Sequence, residues 1–485
     1  LSTYTATGVS LVEQWRDTLL KGLAARQPDL DRFESYYRGE HRLLFATIKF
    51  RETFGTLFGA FSDNWCDLVC DASTERLKVE GFRFGNDQEE GDAESWQIWQ
   101  RNYLDAESEL AHGEAIRLGC AYALVFPDDM GDPSIQLESP SQAIVAVDPA
   151  QGRHRLAGLR DWVDEWGTEQ CVLYLPDMVV WWRREGTNKG WEALPELSGT
   201  NPLAPIVPLV PLPNMPTLTV REGRSDVERC IPIQDAVNKL CADMIVASEY
   251  AAFPQRWMTG VDIPKYPDGH PNAGDPLPEW KSQFKSGSGQ IWAVEDMQAA
   301  FGSFAISDLS PYVRAIEALI QHLAAQTRTP PHYLLGSSGT FPSGESLKAT
   351  ETGLVAKVRR KQAAFGEGWE EVMRLAFAVA GDQAKATAWD VETIWANPES
   401  RSTAETVDAA VKLSSIGVPR PALWEYVGFT PQQVERFIAE GADVEGPAVT
   451  ARETITPTPA EAAAQIGVAP ASSPPVTATT GGTNA

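Results

Sequence analysis

Cysteine is scarce in this sequence: Cys66, Cys70, Cys120, Cys171, Cys230 and Cys241 are the six in 485 residues. So few in so long a chain cannot build a disulfide framework. Only Cys66 and Cys70 lie close together, at helical i,i+4 spacing with no histidine beside them, and they read as buried thiols, not as a metal site. Histidine is equally sparse. None of His41, His112, His154, His270, His322 and His332 is paired with another at ligand spacing. Neither HExxH nor GxSxG occurs, so no metal, no cofactor and no catalytic residue is expected. Also missing is any apolar run near the roughly 18 residues that a membrane helix needs, and the N-terminal residues lack the basic and apolar blocks of a signal peptide. The expectation is a soluble, intracellular protein without membrane contact. Positive charge is the last shortage: 41 Lys and Arg against 66 Asp and Glu leave a formal charge of −25, which argues against a surface that grips nucleic acid by broad phosphate neutralisation.

What is present is enough apolar residue, 43% of the chain, to bury a substantial core. Leu11, Trp15, Leu19 and Leu23 fit a helical period with Ser10 as N-cap, and a second helix is expected after Pro28. Residues 51 to 76 read as helix through Phe54, Leu57, Phe58, Phe61, Trp65, Leu68 and Val69. Strand alternation follows at Leu77, Val79 and Phe82, closing at Gly85. Residues 93 to 118 are helical in pattern, the apolar run Cys120 to Phe126 ends in the turn-forming Pro127, Asp128 and Asp129, and strands are expected at Ala143 to Val147, Cys171 to Leu175 and Met178 to Trp182. The first third is therefore an α+β domain.

From Asn201 to Pro216, six prolines among apolar residues exclude helix and predict an extended boundary segment. Ser225 and Glu228 then form a capping-box pattern, with Pro232 in the first turn of a helix to about Phe253. Ile233, Val237, Leu240, Met244 and Ala247 share one face. At 1.5 Å per residue, this helix is roughly 31 Å long, too long for a small domain. Residues 254 to 306 read as an irregular excursion with short strands at Arg256 to Thr259 and Gln290 to Val294. A second long helix starts at Ser310 and Pro311, carries Ile316, Leu319 and Leu323, and stops at Pro330. A third carries Leu347, Leu354, Val358, Phe365, Trp369 and Val372, with Gly366 and Gly368 as candidate kinks. A strand at Val391 to Trp395 precedes helices capped at Ser402 and Thr430, and from Gly446 the composition is that of a disordered tail.

Two local patterns carry alternative readings. Gly339 to Ser346, GTFPSGES, fits the phosphate-binding pattern GxxxxGK[ST] at both glycines and the final serine, but Glu345 takes the lysine's place, where a carboxylate repels the phosphates. It reads first as a structural loop and second as a degenerate nucleotide site. The basic run Lys357, Arg359, Arg360 and Lys361 reads either as a solvated helix face or as a ring of positive charge around a pore. The pairs Trp96 with Trp99 and Trp181 with Trp182 read as core or subunit-contact residues, with base stacking as the alternative.

Taken together, YYRGEH (Tyr36 to His41), FGAFSDNWCDLVCDASTERLKVEGFRF (Phe58 to Phe84), VPLVPLPN (Val207 to Asn214), IPIQDAVNKLCADMIVASEYAAFPQRWMTG (Ile231 to Gly260), TRTPPHYLLG with SGESLKATETGLVAKVRRKQAAFG (Thr327 to Gly366), and WANPESRSTAE (Trp395 to Glu405) resemble tailed-bacteriophage portal proteins, closest to those of phages infecting actinobacteria. The resemblance covers about residues 10 to 440, in order.

It implies an α+β portal fold with an α/β wing, a two-helix stem, a small α/β clip, a long kinked wing helix and a helical crown. The parts would be wing 1–224, stem helices 225–253 and 307–329, clip 254–306, tunnel-loop region 330–345, long helix and wing return 346–400, crown 401–445 and tail 446–485. It further implies a non-enzymatic dodecameric ring at the capsid vertex that conducts double-stranded DNA during packaging and ejection. Its partners would be the large terminase subunit, a head–tail adaptor, and the major capsid and scaffolding proteins, in the virion and, during assembly, in the host cytoplasm. Gly336, Ser337, Ser338, Gly339, Thr340, Phe341, Pro342 and Ser343 would form the tunnel loop, with Phe341 touching neighbouring loops or DNA. Ile233, Val237, Leu240, Met244, Ile316, Leu319 and Leu323 would pack the stem. A capsid scaffold that never touches DNA is the remaining alternative.

Overall fold

The computed structural model describes residues 10–41, 63–85, 91–186, 188–252, 256–260, 265–277, 300–303, 308–335, 344–399 and 403–440. In chain order the described elements are α1 (Leu11–Tyr37), α2 (Cys66–Thr74), β1 (Val79–Phe84), α3 (Ala93–Arg101), α4 (Leu104–Leu118), β2 (Cys120–Pro127), β3 (Pro133–Glu138), β4 (Ala143–Val147), β5 (Arg155–Val163), β6 (Glu169–Tyr174), β7 (Met178–Arg184), β8 (Glu192–Ala193), β9 (Gly199–Thr200) and β10 (Leu209–Pro213). They continue with α5 (Val227–Ala252), β11 (Arg256–Thr259), β12 (Ala300–Ser303), α6 (Ser310–Thr327), α7 (Pro331–Leu334), α8 (Gly344–Ala380), α9 (Gln383–Ala386), β13 (Val391–Trp395), α10 (Thr403–Ser414), α11 (Arg420–Val427) and α12 (Pro431–Ala439). The fold is α+β, and the described strands pair antiparallel.

Alternation along the strands sets the layers. In β6, Cys171 and Leu173 face α1, where they meet Leu19, Leu23, Ile144 and Trp182. Their neighbours Val172 and Tyr174 point the other way, onto Cys120, Tyr122 and Leu124 of β2. Successive strand side chains take opposite faces, so one strand serves two cores. The sheet β4-β5-β6-β7-β8, with β9 also on β7, is thus sandwiched between α1 and the sheet β10-β2-β3. Strand β2 is buried on both faces: Ala121, Ala123 and Val125 join the main core with Trp99, Ile116, Phe365 and Trp369. That is why Cys120 to Phe126 is continuously apolar.

Helix α1 opens with the expected cap: Ser10 Oγ accepts from the Glu13 N–H at 3.2 Å, and the Glu13 carboxylate accepts from the Ser10 N–H at 3.1 Å. The second helix expected after Pro28 is not separate, because α1 runs through it. Pro28 and Ala24, whose carbonyl it leaves unpaired, are both exposed, while Leu23 and Leu30 stay buried. The carbonyl is open to solvent, and burial of Leu23 and Leu30 on either side of the proline favours a continuous helix. The expected helix over 93 to 118 is instead two, α3 and α4, broken at Tyr103, which sits in the left-handed region at φ 55°. Strands β1 and β13 pair across the chain, with Phe84 opposite Val391.

Helix α8, 37 residues and so roughly 55 Å long, crosses the main core without interruption. The candidate kink Gly368 has a nearer purpose. A Cβ there would overlap Leu212 and lie 3.2 Å from the Pro211 carbonyl, so glycine lets α8 approach β10. Beside it, the Trp369 Nε1–H donates to His112 Nε2 at 2.8 Å. The His112 Nδ1 must then be the protonated nitrogen, donating to the Leu77 carbonyl at 3.2 Å. Burial pushes the His112 imidazole down to about 3, so the ring is neutral in the core. Residues through Glu435 form one compact unit, and Arg436 begins a second.

Candidate functional site: a rooted helical pair

Helices α5 and α6 pack against each other, and burial runs in opposite senses along them. On α5, Val227, Cys230, Ile231, Gln234, Asp235, Val237, Asn238, Cys241 and Ala242 are buried, and no described side chain beyond Ala242 is. On α6, Ile320, Leu323, Ala324 and Thr327 are buried, and nothing before Ile320 is. The chain therefore leaves the body along α5 and returns along α6. Each helix carries ten residues past its last described buried position, about 15 Å of helix. Backbone pairing of β11 with β12, Thr259 opposite Ala300, joins the two strands of the excursion.

The root of this pair is polar and dry. Lys357 Nζ lies 2.8 Å and Lys361 Nζ 3.0 Å from Asp226 Oδ2, at the mouth of α5. Lys361 also donates to Asn214 Oδ1, and Asn214 Nδ2 donates to Asp226 Oδ1 at 3.1 Å and to the Arg224 carbonyl at 2.6 Å. Ser225 Oγ accepts from the Val227 N–H at 3.1 Å and donates to the Arg117 carbonyl at 2.5 Å. Burial works against ionising Asp226, but Lys357 and Lys361 outweigh it and hold the carboxyl well below the usual range. Burial, with repulsion from Lys357, pushes the Lys361 ammonium down to about 8 against the pull of Asp226. Gly223, at φ +93°, runs so close to the Gly119 and Asn214 carbonyls that a Cβ has no room.

A second ring of bonds encircles the first turns of α5. Tyr36 Oη donates to Asp235 Oδ1 at 2.7 Å, and the Trp65 N–H donates to Gln234 Oε1 at 2.9 Å. The Asp63 N–H donates to Asn238 Oδ1 at 3.1 Å, while Asn238 Nδ2 donates to His41 Nε2 at 2.7 Å. His41 stacks on Tyr36, with ring centroids 4.1 Å apart. Buried polar groups on a helix are tolerated only when bonded in this way. Pro232, expected in the first turn, lies farther in because Ser225 starts the helix at Val227. Its ring and the Glu228 carbonyl it leaves free are both at exposed positions.

The sequence-predicted residues fall in different places. Gly336, Ser337, Ser338, Gly339, Thr340, Phe341, Pro342 and Ser343 lie outside the described residues, as do Phe54 to Phe61, Gln290 to Val294 and everything from 441. The segment leading to Gly336 is the helical turn α7 and not the buried strand a phosphate-binding loop requires. The basic run divides. Lys357 and Lys361 are 7% and 0% exposed and pair with Asp226 at the root. Arg359 and Arg360 are at the surface, the first 2.5 Å from Glu399 and the second 3.5 Å from the Pro216 carbonyl. A period of four along the run put Lys357 and Lys361 on the apolar stripe of Leu354 and Phe365, a signal that they face inward.

Of the stem set, Val237 and Leu323 are buried, and Ile233, Leu240, Met244, Ile316 and Leu319 are half-buried. Ile233, Ile316 and Leu319 touch the main core. Trp99 and Trp182 are core residues, and Trp96 stacks on Trp99 at 6.1 Å. All six cysteines are free and buried. Among the described residues, no cluster of three or more His, Cys, Asp or Glu side chains has metal-holding geometry, and no helix is long and apolar enough to cross a membrane. Sequence reasoning missed Asp226, Asn214, Gln234, Asp235 and Asn238.

The chain is thus an α+β body in which two packed helices run outward from a buried polar root. The chain belongs to the family described as Phage portal protein, SPP1 Gp6-like, whose profile matches residues 16–445. It is 31% identical over 438 residues to the portal protein of Mycobacterium phage D29 and 28% identical over 438 residues to that of Mycobacterium phage L5, in each case with 87% of both chains covered. Solved structures that it resembles include a chain of the virion of a native gene transfer agent particle, at 12% identity and TM-score 0.43, and a chain of the neck of the native particle computed with C12 symmetry, at 14% identity and TM-score 0.41. Each comparison covers 75% of this chain and 88% of the other.

Proposed function

We propose that copies of this chain close into a dodecameric ring at one capsid vertex, with α5 and α6 of each copy lining a channel for double-stranded DNA during packaging and ejection. The observation that carries this reading is the opposed burial along α5 and α6, which fades outward from the root until the described side chains are only half-buried or exposed. In this reading residues 225–253 and 307–329 are the stem. Residues 254–306 are the clip that docks the large terminase subunit and later the head–tail adaptor. Residues 1–224 with 346–400 are the wing, and 401–445 the crown, facing the capsid and scaffolding proteins. Gly336 to Ser343 is the tunnel loop, with Phe341 as its one large apolar group.

The role is structural, the terminase supplying the chemical energy. A net charge of −25 suits a conduit, because DNA that must slide cannot be held at many phosphates. Native mass spectrometry of the purified protein, with electron micrographs of the same sample, tests the reading. Closed rings with a central hole are expected, and a population made only of stable monomers contradicts it. Deletion of Gly339 to Ser343 is expected to leave rings intact and abolish packaging.

A further inference from the structure

Arg76 lies between α2 and β1, far in sequence from the groups its guanidinium bonds. Its Nη1–H donates to the Pro398 carbonyl at 2.8 Å, and its Nη2–H donates to Tyr333 Oη at 2.6 Å. The same Nη2 is 3.4 Å from Glu351 Oε1. Because Tyr333 Oη accepts from Arg76, its own proton goes to Glu351 Oε1, 3.3 Å away. The guanidinium also sits over the Tyr333 ring, 6.0 Å from its centroid. The Arg76 and Glu351 side chains are only 12% and 14% exposed, so the triangle works in a partly dry setting where such bonds are stronger than surface ion pairs. Tyr333 is on α7 and Glu351 is on α8. One planar fork therefore holds both sides of the gap between those helices, and Pro398 ties it to the chain after β13.

We infer that Arg76 is a positioning residue that fixes the end of α7 relative to the start of α8. It thereby sets the position of Leu335 relative to the first turns of α8. Leu334, 3% exposed, is part of the main core, with Tyr333 packed against it, and His332 Nε2 on α7 also lies 4.0 Å from Glu351 Oε1, so Arg76 is the group that adds Pro398 to this α7–α8 contact. A lysine in place of Arg76 keeps the charge but cannot serve three acceptors in one plane. The consequence for DNA rests on the channel reading of 336–343 given above, and the tie between the helices does not.

The test is hydrogen–deuterium exchange on the full-length assembled protein, wild type against Arg76→Gln, Arg76→Lys and Tyr333→Phe, with in vitro DNA packaging measured on the same preparations. Arg76→Gln is expected to speed exchange by about tenfold at residues 333–335 and 348–352, while amides of β2 and β6 keep their rates. Arg76→Lys is expected to restore part of the protection, and Tyr333→Phe to free the α7 side more than the α8 side. Unchanged exchange on both flanks in Arg76→Gln overturns the inference, even if packaging falls. Faster exchange with normal packaging upholds the tie and contradicts the channel reading of 336–343. Should Arg76→Gln fail to fold, Tyr333→Phe decides by the same criterion.

Discussion

Helices α5 and α6 are held very differently at their two ends. At the root, Asp226 is gripped by two lysines and an asparagine, and Gln234, Asp235 and Asn238 each bond to a residue from α1 or the segment before α2. Ten residues farther out, Met244 is half-buried and Val313 is 45% exposed. The root is determined within one chain, with every partner supplied by that chain. Among the described residues of the outer half no side chain is fully buried: Ile245, Val246, Ile316 and Leu319 are half-buried and Val313 is exposed, and in the proposed ring this is the part left for other copies.

Substitutions at the root are therefore expected to act on folding, and those at the outer half on assembly. Asp226→Ala leaves two buried ammonium groups without their counter-ion and should cost about 3–5 kcal/mol in urea unfolding. A loss comparable to a surface substitution breaks the contrast. Gly368→Val forces a side chain into Leu212 and should cost about 1–3 kcal/mol, with the fold retained.

The third expectation is pH dependence. The imidazole of His112 titrates near 3 in the folded chain against an ordinary 6.5. Below 6.5 the unfolded chain takes up a proton that the folded one cannot, so stability should fall as the pH drops toward 3. The lowered carboxyl of Asp226 acts in the same sense, its contribution being present above 3.8 and lost below. Lys361 acts at the other end: with a folded value of about 8 against 10.5, it should let stability rise between those two pH values. Urea midpoints measured from acid to alkaline pH check all three, and His112→Gln should flatten the limb between 6.5 and 3. The smallest effect on stability is expected from Val313→Ser, within about 0.5 kcal/mol. The same change should lower the fraction of protein in rings, and an unchanged fraction weakens the distinction between root and outer half.

Local signals made much of the fold legible. Strand-forming runs at Ala143 to Val147, Arg256 to Thr259 and Val391 to Trp395 are strands β4, β11 and β13, and Ser10 caps α1 as its spacing to Glu13 implies. Proline was the misleading signal. Pro28 and Pro232 are both inside helices because each sits on the solvent side, a fact of tertiary packing that the residue itself does not carry. The root was illegible for another reason. Asp226 and Lys361 are 135 positions apart, and nothing local to either marks the other as its partner. Lys357 and Lys361 looked like surface cations until packing placed them opposite a carboxylate. The amphipathic period of α8 alone put them on the inward stripe.

The most direct test of the account is an electron cryomicroscopy reconstruction of the assembled particle viewed down its axis, at a resolution that separates helices. The account predicts an open hole bordered by residues 227–252 and 310–327 of every copy, with the sheet β4-β5-β6-β7-β8 turned away from it. A hole bordered by that sheet, or particles with no hole, would contradict it.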